Sequence, residues 1–81
     1  MVAVRITNEH ILKGKRKSCW WCPIALALSE LFPDQYVAVR FVDILIGEKS
    51  YATPNDARIF ISAFDASGPS MVQPFEFVLE V

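Results

Sequence analysis

An α+β domain with a small, mostly antiparallel sheet is the fold class this sequence predicts, and three observations predict it. The first is the run from Pro23 to Leu31, apolar on nearly every side apart from Ser29 and Glu30. Such a helix belongs in the middle of a domain. The second is the stripe Ala57, Phe60, Ile61 and Phe64, whose spacing marks a second, amphipathic helix packed on one face of the sheet. The third is period-two alternation in Val2 to Ile6, Tyr36 to Val42 and Phe75 to Val81, the signature of strands with one buried face. The resulting order is strand, short helix, central helix, strand, hairpin, helix, strand, in one α+β domain spanning residues 1–81.

Each element has its own local grounds. Val2 to Ile6 is short and rich in β-branched residues. Thr7 offers a hydroxyl N-cap for one or two helical turns over Asn8 to Lys13, which Gly14 is expected to close in the left-handed conformation. Pro23 fits the first helical position, because its missing N–H would be unpaired there anyway, and Ile24, Leu28 and Leu31 then share a face. Pro33 stops that helix near Phe32.

In the next strand Val37, Val39 and Phe41 are expected to face inward, with a bend at Asp43 before Ile44 to Ile46 continue. Gly47 and Glu48 fit the centre of a type II′ hairpin turn that pairs Lys49 to Ala52 back against Asp43 to Ile46. Thr53 and Pro54 read as N-cap and first residue of the next helix, with Asp56 completing a box-like arrangement. Ile59 falls off that helix's buried stripe and is a candidate subunit contact. Ser67-Gly68-Pro69 ends the helix, and Phe75, Phe77, Leu79 and Val81 form the apolar face of the last strand.

Composition bounds the function. A chain of 81 residues buries only about 60% of its unfolded surface, so a large enclosed active site is not expected. Its 53% hydrophobic content is high for so small a domain, where roughly 45 to 50% is usual, and this suggests a homo-oligomer that covers apolar surface. The net charge of −1 hides an asymmetry: Arg5, Lys13, Lys15, Arg16 and Lys17 are five of the eight basic residues, against only Glu9 in that stretch. A basic N-terminal patch on an acidic body can meet phosphate, nucleic acid or an acidic protein, or simply solvate a loop.

The first residues lack the charged and apolar regions of a signal peptide, and no apolar run is long enough for a membrane span. With two cysteines and no export signal, a soluble, cytoplasmic protein with reduced thiols and no membrane partner is expected.

A resemblance runs over most of the chain. His10-Ile11, Cys19, the Cys22-Pro23-Ile24-Ala25-Leu26-Ala27-Leu28 run, Ile59 to Ala66 and Gln73-Pro74-Phe75-Glu76-Phe77 are similar to a family of short proteins encoded by bacteriophages and prophages. Its most specific parts are the Cys-Pro-Ile-Ala-Leu-Ala run and the terminal Pro-Phe-Glu-Phe. The resemblance implies a phage setting, and so the cytoplasm of an infected bacterial host. It carries over no catalytic residue.

Three chemistries are open to the motifs. Cys19 and Cys22 have the spacing of half a zinc site and His10 could add a third ligand, but the fourth must come from an acid or a second chain. The alternative is that Cys22 packs as a small buried hydrophobe and His10 lies on a solvated helix face. The same cysteines could act in thiol redox, since a helix N-terminus lowers a thiol pKa. Against this, thioredoxin-like motifs follow a strand, whereas here a short helix and basic loop come first. Third, Trp20 and Trp21 beside Lys15, Arg16 and Lys17 could stack a base while the cations hold its phosphate, or could pack as core or interface.

One histidine, no Gly-x-Ser-x-Gly and three isolated glycines leave no hydrolase triad or phosphate loop to assign. The expectation is therefore a non-enzymatic phage accessory protein with no cofactor. It would act by binding, in counter-defence, by occluding a host protein or sequestering a nucleotide-like small molecule. A nucleic-acid-binding module and a thiol-redox protein are the alternatives.

Overall fold

The structure, a computed structural model, describes residues 1–81. From the N-terminus it runs β1 (Val2–Ile6), α1 (Asn8–Lys13), α2 (Pro23–Leu31), β2 (Val37–Val39), β3 (Asp43–Ile46), β4 (Lys49–Ala52), α3 (Asn55–Ser67), a 3₁₀ turn over Pro69–Met71, and β5 (Phe75–Leu79). This is an α+β fold, and its five strands divide between two antiparallel sheets. The chain ends pair as β1 with β5, Val2 opposite Leu79 and Ile6 opposite Phe75, while β2, β3 and β4 form a meander.

The alternation in β1 and β5 turns Val4, Ile6, Phe77 and Leu79 inward. Arg5 and Glu76 meet on the outer face at 3.6 Å. α2 lies in the middle, packed on α1, β1 and β2, with Ile24, Ala25, Ala27 and Leu28 buried. Small alanines at two of those positions let the neighbouring elements approach closely. α3 buries Ala57, Phe60 and Phe64. It is tied to β5 by a run of stacked rings, Phe60 on Phe75 at 4.9 Å and Phe75 on Phe77 at 5.7 Å between centroids.

The turn after β3 is as expected, with positive φ at Gly47 and not at Glu48, the type II′ pattern. Four local expectations are corrected. Gly14 is extended, at φ −68° and ψ 155°, and not left-handed. A Cβ there would lie 2.6 Å from the Pro23 ring, so glycine is required for the close approach of α1 and α2. β2 stops at Val39, because the Arg40 N–H donates to the Asp43 carbonyl at 2.8 Å and turns the chain, leaving Phe41 half exposed. The N-cap of α3 is Pro54, while the buried Thr53 donates its hydroxyl to the Arg40 carbonyl at 2.9 Å. Leu31, at the end of α2, is exposed.

His10 is a fifth correction, since it is buried and not on a solvated face. Thr7 caps α1 reciprocally: the His10 N–H donates to Thr7 Oγ1 and the Thr7 N–H donates to His10 Nδ1 at 3.0 Å. Nδ1 is therefore the accepting nitrogen, and Nε2 donates to Glu30 Oε1 at 2.9 Å, fastening α1 to α2. No helix is long and apolar enough to cross a membrane.

Candidate functional site

The loop between α1 and α2 carries most of the residues singled out by sequence, and it is closed on itself and pinned to two other elements. The Lys15 N–H donates to the Trp21 carbonyl at 2.8 Å, and the Trp21 N–H to Ser18 Oγ at 3.1 Å. The Val39 N–H donates to the Cys19 carbonyl at 2.7 Å, joining the loop to the edge of β2. The third attachment is to the end of α3, where a helix leaves its last carbonyls without intrahelical partners. Arg16 Nε and one terminal nitrogen donate to the Asp65 carbonyl at 3.1 and 2.9 Å, and that terminal nitrogen also donates to the Ala66 carbonyl at 2.8 Å. The Lys17 N–H donates to Asp65 Oδ1 at 2.8 Å. Lys17 has φ 57°, the one positive φ outside glycine, and the Asp65 carboxylate helps hold it there.

The basic patch is thereby divided. Arg16 is a C-terminal clamp for α3, with its cation where the helix dipole favours it. Lys15 and Lys17 are exposed and form no ion pair. Trp20 and Trp21 are 52% and 57% exposed, and Trp20 Nε1 donates to the hydroxyl of Tyr36, itself 56% exposed, at 2.6 Å. These rings make an aromatic face shared by the fastened loop and the residue that leads into β2. The period-two pattern places Tyr36 only on the outer phase of a strand, and its bond with Trp20 comes from the fold.

The same loop borders a half-open cleft of about 320 Å³. One wall is the loop at Lys17 and Cys19, another is Arg40 and Phe41 at the turn after β2, and the third is Phe60, Phe64 and Asp65 of α3. Arg40 holds the Asp43 carboxylate in a two-point contact at 2.6 and 2.6 Å, which pushes the Asp43 pKa below its ordinary value. Arg58 lies over the Phe41 ring at 5.6 Å and stiffens that wall. Nothing local in the sequence announced Asp65, Arg40 or Phe41, which meet the loop from about twenty to fifty residues away.

Cys19 is half-buried and Cys22 buried, both as free thiols on the cleft. Cys22 is the N-cap of α2, where helix N–H groups lower a thiol pKa; the Ala25 N–H donates to its Sγ at 3.4 Å. Burial is the larger effect and pushes the Cys22 pKa up to about 11. A thiol that stays protonated near neutral pH is a poor zinc ligand and a slow exchange partner. His10 has both ring nitrogens engaged, and no group of three or more His, Cys, Asp or Glu side chains is gathered around a point that could hold a metal ion.

The fold and site together define a small α+β domain with an exposed aromatic face and a cleft bordered by the same loop. Compared with protein-family models, curated proteins and solved structures, the chain gives no match.

Proposed function

We propose that this chain is a phage accessory protein that acts by binding and not by catalysis, and that its working surface is the aromatic face of Trp20, Trp21 and Tyr36. The observation that carries the reading is that three aromatic side chains are each more than half exposed, Trp20 and Trp21 on a loop pinned to both β2 and α3, and Tyr36, just before β2, accepting the Trp20 Nε1 hydrogen bond. Tryptophan and tyrosine are the residues on which binding energy concentrates in protein interfaces, and a preorganised surface loses less entropy on docking. A protein partner fits this face better than a polyanion, because Arg16 is committed to α3 and only Lys15 and Lys17 remain free beside the rings. The phage setting rests on the resemblance of the Cys22 to Leu28 run and of Pro74 to Phe77. Within it the concrete form is counter-defence: the face occludes a host defence protein in the cytoplasm of the infected cell.

The test is to express the wild type and a Trp20→Ala, Trp21→Ala, Tyr36→Ala variant in bacteria carrying individual defence systems and to count plaques of a sensitive phage. The wild type is expected to restore plating against one system and the folded triple variant to lose that effect. Equal plating with both would overturn the role of the face. The two free lysines beside the rings also support nucleic-acid binding. That reading expects affinity to fall steeply with salt and to drop when Lys15 and Lys17 are replaced by alanine.

A further inference from the structure

The cleft behind the loop is a second site, and its chemistry differs from that of the aromatic face. Its floor and one wall are apolar, with Pro23, Phe60, Ile61 and Phe64, and its rim carries charge of both signs. The charges sort into used and unused. Arg40 is neutralised by the two-point contact with Asp43, and Cys22 stays protonated and adds no negative charge. Two charges are left without an ion-pair partner, the Lys17 ammonium and the Asp65 carboxylate, which takes only the Lys17 backbone N–H. Both residues line the cleft, and the Lys17 N–H on Asp65 Oδ1 sets them side by side in its wall. The left-handed backbone at Lys17 costs about 1 kcal/mol or more and survives only where the surroundings enforce it. Such strain concentrates at ligand clamps. The walls need no rearrangement, since the Arg16 clamp, the Asp65 bond and the Cys19 to Val39 bond set their positions.

We propose that this cleft binds a small zwitterion with one apolar side chain, a free apolar amino acid. Its side chain lies against Ile61 and Phe64, its carboxylate meets Lys17 and its ammonium meets the second oxygen of Asp65. A volume of about 320 Å³ is at the low end of the roughly 300 to 1,000 Å³ usual for small-ligand pockets. It accommodates one ring with its charged groups. The site stands whether or not the aromatic face docks a partner.

Amide NMR titration of the full chain with L-phenylalanine, phenylacetate and phenethylamine tests this. Phenylalanine is expected to shift the amides of Lys17, Cys19, Phe41, Phe64 and Asp65 saturably, with each one-charge analogue weaker by about tenfold. Lys17→Gln is expected to abolish the preference for phenylalanine over phenethylamine. Asp65→Asn, which keeps an oxygen to accept the Lys17 N–H, is expected to abolish the preference over phenylacetate. Spectra that otherwise superpose on the wild type establish that both variants are folded. Three results would each overturn the proposal: no saturable shift by any of the three ligands, equal binding of all three, or shifts centred outside the cleft.

Discussion

Gly14 and Cys22 show how a single residue is set by what packs against it. Gly14 has a backbone conformation open to any residue, so Gly14→Ala isolates the steric term. Its Cβ would meet the Pro23 ring at 2.6 Å and push α1 off α2, and the expected loss is about 1 to 3 kcal/mol in urea unfolding. No loss would mean that the two helices separate freely. Cys22 predicts a pH effect. Its thiol pKa is raised by burial from 9.0 to about 11, so the folded chain holds the proton more tightly than the unfolded chain. The contribution is fully present below pH 9.0 and is lost as pH rises through about 11. Stability measured from pH 8 to 11 is expected to fall more for the wild type than for Cys22→Ala, and parallel curves would refute the assignment.

Between elements, the decisive joint is that of the loop after α1 with the end of α3. Arg16 satisfies two of the last carbonyls of α3 through a planar fork that lysine cannot reproduce. Arg16→Ala is expected to cost about 1 kcal/mol and to speed hydrogen exchange in the last turn of α3, with no rescue by Arg16→Lys. Full rescue by lysine would show that the charge alone matters. The sequence foretold both partners separately, as a basic loop and as a helix ended by Gly68. It was silent on their meeting, because Arg16 and Asp65 are 49 residues apart and no local pattern encodes such a contact. The limits of β2 were hidden for a related reason. The alternation from Tyr36 to Val42 is unbroken as a pattern, and only the Arg40 to Asp43 bonds cut the strand short.

At the scale of the molecule, one core joins both sheets and all three helices, and Phe64 stands in it 1% exposed. The outside keeps a second apolar area, where Ile59 and Met71 are 61% and 66% exposed. The homo-oligomer expected from composition is proposed to make its contact there, on the side chain that falls off the α3 stripe. Sedimentation is expected to show a concentration-dependent oligomer that Ile59→Lys converts to monomer without change in circular dichroism. A wild-type chain that sediments as a monomer throughout the micromolar range would remove the oligomer from this reading.

The sequence by itself determined the α+β class, the order of the elements and most of the inward faces of α2, α3, β1 and β5, because periodicity and proline placement act within a few residues of chain; Leu31 and Val81, expected on those faces, are exposed where α2 ends and beyond β5, which stops at Leu79. It also supplied the loop residues Lys15, Arg16, Lys17, Trp20 and Trp21 as a group. Only the tertiary structure decided their separate uses: Arg16 on the carbonyls of α3, Lys17 at the rim of a cleft, Trp20 bound to Tyr36. It alone also placed His10 inside and divided the strands between two sheets. The physical reason is the same in each case. A charge or a polar atom takes whichever partner the packed core brings within about 3 Å, the reach of a hydrogen bond, and that partner is set by the fold as a whole.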